Sequence, residues 1–234
     1  MKPQTESNNH TYTVQADQDI DITIYTDPLC CWSWAFQPQL EKLKEILGHR
    51  ARWSYRMGGL IPSWDNFHDE VNSVTRPAQM GPVWMHAGQV ANRPIQHIIW
   101  MKDPPASSYP ACIAVKCAQH QSAAYGEILL GLLRESCMLE GKNIAKNTFI
   151  SEAAEKLAKM EATFDISKFR IEFGSDIGLN LFREDLDLVR RYNINRFPTL
   201  IVRSAGKAIM IPGYRNYGEI VKAIQQIAAI DMPA

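Results

Sequence analysis

The chain has 234 residues, with 25 Lys plus Arg set against 25 Asp plus Glu. That balance excludes the basic excess usual for a nucleic-acid binder, and no apolar run reaches the roughly 18 residues of a membrane span. Hydrophobic residues make up 46% of the chain, so its length suits one domain with an insertion, or two small ones, with neutral or small partners.

Residues 1–18 are polar and lack an apolar core, so they read as a loose tail and not as a secretory signal. With Met1 in place, a cytoplasmic location is expected. The five cysteines are Cys30, Cys31, Cys112, Cys117 and Cys137. An odd number in a chain this long does not suggest a secreted disulfide scaffold, and free thiols in a reducing compartment are expected.

From Asp19 to Asp27, Ile20, Ile22 and Ile24 alternate with polar residues, the period of a strand that Pro28 ends. A helix is expected over Ser33 to Leu47, because Phe36, Leu40, Leu43 and Leu47 fall at helical spacing and Gly48 can stop it. Trp53, Tyr55 and Met57 then alternate in a second strand closed by Gly58-Gly59. Strand, helix and strand over residues 19–60 make a βαβ unit with a parallel pair and a right-handed crossover.

Residues 61–185 change character. "EILLGLLRESCML" and "ISEAAEKLAKM" read as amphipathic helices, and Pro94, Pro104, Pro105 and Pro110 punctuate the first part, so a helical insertion is expected. Cys112, Cys117 and Cys137 lie in its apolar stretches, where a free cysteine packs as a small hydrophobe. Over 186–234 a short helix leads into a strand at Thr199 to Val202. A turn at Ser204 to Gly206 makes a hairpin with "KAIMIPG", and Ile220, Ile224 and Ile227 share one face of a last helix.

The chemistry concentrates in "DPLCCWSW". Cys30 falls at the junction of a strand and a helix N-terminus, where free N–H groups and the helix dipole stabilise an anion. Such a setting can lower a thiol pKa from about 8.5 to between about 3.5 and 7.5, so an activated Cys30 thiolate is expected. One turn on stands Ser33. Its hydroxyl can donate to that thiolate but cannot form a disulfide. A bond between the adjacent Cys30 and Cys31 would lie outside ordinary disulfide spacing. The six histidines are scattered and Cys112 and Cys117 fall on different helix faces, so no metal site is expected.

"DPLCCWSWAFQPQL" resembles the active-site segment of the cytoplasmic DsbA-like thioredoxin-fold proteins, including their FrnE-like branch, which usually read Asp-Pro-Leu-Cys-x-Trp-Cys-Trp. "RFPTLIV" resembles that family's cis-proline loop, and "RMGGLIPSWD", "DPPASSYPAC" and "IPGYRNYGEI" are similar to other family segments. The resemblance spans about Ile20 to Ile227. It implies an α/β thioredoxin-like fold with a helical insertion between the βαβ and ββα halves. It implies Cys30 as attacking thiol, with Cys31 and Trp32 in the intervening positions and Ser33 where the family has its resolving cysteine. Pro198 takes the cis-proline place over Cys30, and Trp32, Trp34, Phe197, Pro198 and Thr199 would border the substrate.

The resulting expectation is a monothiol-type disulfide oxidoreductase without a bound cofactor. Cys31, glutathione or another small thiol would resolve Cys30, and the substrate would be a protein or small molecule bearing a thiol or disulfide. Two other readings share the fold. One is a kappa-type glutathione transferase or isomerase. The other is a non-catalytic adaptor that delivers clients to a Clp protease, which an inert, buried Cys30 would favour.

Overall fold

A computed structural model describes residues 20–229. The tail expected over residues 1–18 lies outside them, as do the last five residues of the chain. Four strands form one sheet: β1 (Ile20–Thr26), β2 (Ala51–Met57), β3 (Thr199–Ser204) and β4 (Lys207–Pro212), in the order β2-β1-β3-β4. β1 runs parallel to β2 in the register Ile22↔Trp53 and antiparallel to β3 in the register Ile22↔Val202. The two halves of the fold therefore meet at the centre of the sheet. β3 has only one residue that is not buried, as a central strand covered on both faces requires.

Helix α1 (Cys31–Leu47) links β1 to β2. It begins two residues before the expected Ser33, because Cys30 serves as its N-cap. Gly48 ends it with φ +50°, a conformation that glycine adopts without a Cβ penalty. Pro38 lies inside α1 and has no N–H to give the Trp34 carbonyl one turn back. Arg93 fills that gap by donating from Nη1 to the Trp34 oxygen, while its guanidinium stacks 3.5 Å from the centre of the Trp34 ring.

The insertion consists of α2 (Met80–Ala91), α3 (Ile99–Lys102), α4 (Tyr109–Gln121), α5 (Ala123–Met138), α6 (Asn147–Met160), α7 (Ile166–Phe173) and α8 (Asp176–Arg191). α2 packs on α1, and α4 packs on α5 and α8. α8 is one continuous helix of 16 residues, longer than the short helix expected, and it runs through residue 185 without a break. Cys112, Cys117 and Cys137 are all in the core. Helix α9 (Tyr217–Gln225) closes the fold against β4, started by a capping box between Asn216 and Glu219. Among the described residues no helix is long and apolar enough to cross a membrane.

Candidate functional site around Cys30

β1 delivers the chain into a turn whose shape depends on Asp27. Its fully buried carboxylate accepts from Leu29 N at 2.8 Å, Leu60 N at 2.7 Å and Ser108 Oγ at 2.8 Å, and the Cys112 thiol donates to it at 3.3 Å. A buried carboxylate needs such a set of donors to offset its lost hydration. One side chain thus ties the β1–α1 turn to the segment after β2 and to α4. Arg134, buried on α5, donates to Thr26 Oγ1 and to Gln37 Oε1 at 3.3 Å.

Cys30 caps α1 with its sulfur, which accepts from Ser33 N at 3.4 Å. Its thiol donates to the Phe197 carbonyl, also at 3.4 Å, across 167 residues of sequence. The Phe197–Pro198 peptide bond is cis. Pro198 O accepts from Gly213 N at 2.8 Å, and this bond brings the following Tyr214 beside Trp32, with ring centres 5.8 Å apart. The Phe197 ring lies over Gly58, where any Cβ would collide with it, so the glycine after β2 is the seat of that ring.

The structure corrects the expectation of an activated thiolate. Cys30 is only 4% exposed, and burial raises its pKa above the ordinary thiol value. The Ser33 N–H and the Arg134 guanidinium pull the other way, and Asp27 adds to the rise. The helix N-terminus does supply its N–H, as the sequence predicts. Desolvation of the charged form outweighs it.

The other predicted residues divide. Cys31 is buried in the main core cluster, and burial pushes its thiol well above the usual range. Ser33 is buried, and its hydroxyl makes no hydrogen bond among the described residues. Trp34 does not border an open groove: it is 5% exposed, donates from Nε1 to Pro94 O at 3.2 Å and is covered by Arg93. Thr199 is buried and donates to Arg196 O at 2.7 Å. Trp32 keeps a partly open face, edge-on to His86 of α2 at 5.6 Å between ring centres. Phe197 is half-buried and packs on the small cluster of Tyr25, Ile194 and Ile201.

The thioredoxin family profile matches residues 24–222. The chain belongs to the thioredoxin family. Its fold is that of the DsbA-like branch. It superposes on a Nitrosomonas europaea protein provisionally named a protein disulfide isomerase, with a TM-score of 0.72 and 18% identity over 89% of this chain and 97% of that one. It also superposes on the cytosolic disulfide reductase DsbM from Pseudomonas aeruginosa, with a TM-score of 0.62 and 19% identity over 82% and 88% of the two chains. In sequence it is 24% identical to the ClpXP adapter protein SpxH of Halalkalibacterium halodurans, over 96% of this chain and 76% of that protein.

Within this family frame, four site residues had not been singled out from the sequence. Asp27 and Arg134 organise the turn, and His86 and Tyr214 flank Trp32. Asp27 left a signal in "DPLC", and Arg134 left one as the single basic residue, beside Glu135, in the apolar stretch "ILLGLLRESCM". His86 and Tyr214 left none, because only the tertiary packing brings them to α1. Chemically, the arrangement can hold a neutral thiol against a carbonyl, beside a partly open aromatic face.

Proposed function

We propose that this protein is a client-binding adaptor built on a disulfide-oxidoreductase fold. It holds a segment of another protein at the Cys30–Pro198 site and presents it to a partner such as the ClpXP protease, without cycling a dithiol. The observation that carries this reading is that no second thiol is placed to resolve Cys30. Ser33 stands one turn on, and Cys31 is buried in the core. Adjacent Cα atoms lie about 3.8 Å apart, short of the roughly 4.4 Å at which ordinary disulfides begin. The burial of Cys30 and the names of the SpxH relatives support the same reading.

The test is a Cys30→Ala variant used as bait. It should retain client proteins as wild type does, and a retained protein, once purified, should be degraded faster by ClpXP when this chain is added. Loss of capture on Cys30→Ala, with mixed disulfides found on the wild type, would overturn the adaptor reading.

One observation favours a second reading, monothiol exchange: the Cys30 sulfur accepts the Ser33 N–H, as a thiolate would. In that step the Cys30 thiolate attacks one sulfur of a substrate disulfide. A new S–S bond forms, and the other sulfur leaves as a thiolate and takes a proton. Glutathione thiolate then attacks the substrate sulfur of the mixed disulfide, which frees Cys30 and carries the substrate off as a glutathione disulfide. Reduction of a glutathionylated peptide by wild type and not by Cys30→Ala would support this route.

A further inference from the structure

We infer that Arg134 is a built-in counter-charge for a thiolate at Cys30, a positioning residue that sets how readily this thiol ionises. The inference goes beyond the adaptor reading, which needs no charge at Cys30, and it stands or falls separately.

Arg134 reaches the β1–α1 turn from α5 and is only 3% exposed. Its guanidinium and the thiol residue meet at one oxygen: the Asp27 carbonyl accepts from Cys30 N at 3.1 Å and from Arg134 Nη2 at 3.5 Å. Nη2 also donates to Thr26 Oγ1, and Nη1 donates to Gln37 Oε1 at 3.3 Å. Cys30, Ser33 and Gln37 follow one another at helical spacing and so share one face of α1. The guanidinium therefore spans from the end of β1 to that face, alongside the turn that holds the sulfur.

All of these partners are neutral oxygens, and the buried Nε has no hydrogen-bond partner among the described residues. A guanidinium keeps its charge at any ordinary pH and is costly to bury without an anion. The charged and titratable groups acting on it are Tyr55 of β2, Asp27 and Cys30 of the turn, and Arg93 of the segment after α2. Burial keeps Tyr55 neutral, and its hydroxyl donates to Glu127. Arg93 has the same sign. The Asp27 carboxylate is turned to donors of its own, Leu29 N, Leu60 N, Ser108 Oγ and the Cys112 thiol. Cys30 itself is faced by Asp27, Cys31 and Arg134. Of the groups around Arg134, Cys30 is thus the one that can gain a negative charge for it. A purely structural site would be filled at lower cost by an apolar side chain of that volume.

The test follows alkylation of Cys30 by iodoacetamide across pH, read by peptide mapping, in wild type, Arg134→Met, Arg134→Gln and Arg134→Lys. A thermal melt checks the fold of each variant. Without the positive charge the thiolate is less favoured, so the inflection of the rate should move to higher pH. Well below the inflection the two neutral variants should react about tenfold more slowly than wild type, the effect of one nearby opposite charge. Arg134→Lys keeps the charge and loses the fork of donors, and should stay within about threefold of wild type. A merely structural Arg134 gives the opposite sign. Its loss would loosen the cover over a thiol that is 4% exposed and speed alkylation at every pH alike, with the inflection unmoved. An unmoved inflection in a folded neutral variant, a lysine variant as slow as the neutral ones, or failure of both neutral variants to fold would overturn the inference. Client capture by Cys30→Ala tests the adaptor reading alone, so the two can fail independently.

Discussion

Cys30 lies between two opposed hydrogen bonds. The Ser33 N–H favours the thiolate, and the Phe197 carbonyl, as an acceptor, favours the thiol. Burial sides with the thiol, so the neutral form is held at pH 7. Alkylation of Cys30 by iodoacetamide, followed by peptide mapping, should be slow at pH 7 and should climb only above the ordinary thiol value of 9.0. A titration inflecting below pH 7 would reverse this assignment. Ser33 sits one turn from Cys30 with its N–H on the sulfur, so Ser33→Cys should place a second thiol within disulfide reach. Oxidation of that variant should remove the mass of a pair of hydrogens, and it should reduce insulin where wild type does not. The Cys30–Ser33 pairing was legible in the sequence because one helical turn fixes it. The state of the thiol was not, since it depends on burial, on the Phe197 carbonyl and on the Arg134 charge, which come from distant parts of the chain.

Two buried carboxylates bind the insertion to the sheet. Asp27 joins the β1–α1 turn to α4. Asp185, fully buried on α8, accepts from Met57 N at 2.8 Å, Arg56 Nη1 at 3.0 Å and Lys116 Nζ at 3.1 Å. Asp185→Ala would leave Lys116, itself buried, without its counter-charge. Breaking one side of such a pair costs roughly 3–5 kcal/mol, and urea unfolding should show a loss of that order. A loss under about 1 kcal/mol would mean that water replaces the carboxylate. The sequence marks α8 as a helix but not as a long one. Its C-terminal half was read with the following strand, whereas its anchor, Asp185, meets partners in β2 and α4. Arg93 teaches a similar lesson. Pro38 announces an unpaired carbonyl in α1, but nothing local says that the insertion supplies the donor.

All five thiols are buried and free, and burial raises every one of their pKa values, to about 12 for Cys117 and Cys137. Tyr25, Tyr55, Tyr109 and Tyr217 shift the same way, with burial the leading cause. The unfolded chain releases these protons at lower pH than the folded one. The stabilisation is therefore complete below the ordinary thiol value of 9.0 and is lost as pH rises through the folded values. Melting temperature under reductant should stay level to about pH 9 and fall steadily from there toward about pH 12. A melting temperature unchanged through pH 11 would contradict the burial of the thiols.

The alternation of β1 and β2, the spacing of α1, the Gly48 stop and the Cys30–Ser33 turn were set by neighbours within a few residues. Side-chain direction along a strand or helix is a local property, so periodicity alone carries it. Family motifs at the two ends of the chain added the meeting of Cys30 with the Phe197–Pro198 loop. The burial of Cys30, the loss of Trp34 to packing and the joining of Trp32, His86 and Tyr214 into one face came from tertiary contacts. Desolvation and the surroundings of a charge depend on what long-range packing lays over a residue, and no periodicity within a segment encodes that.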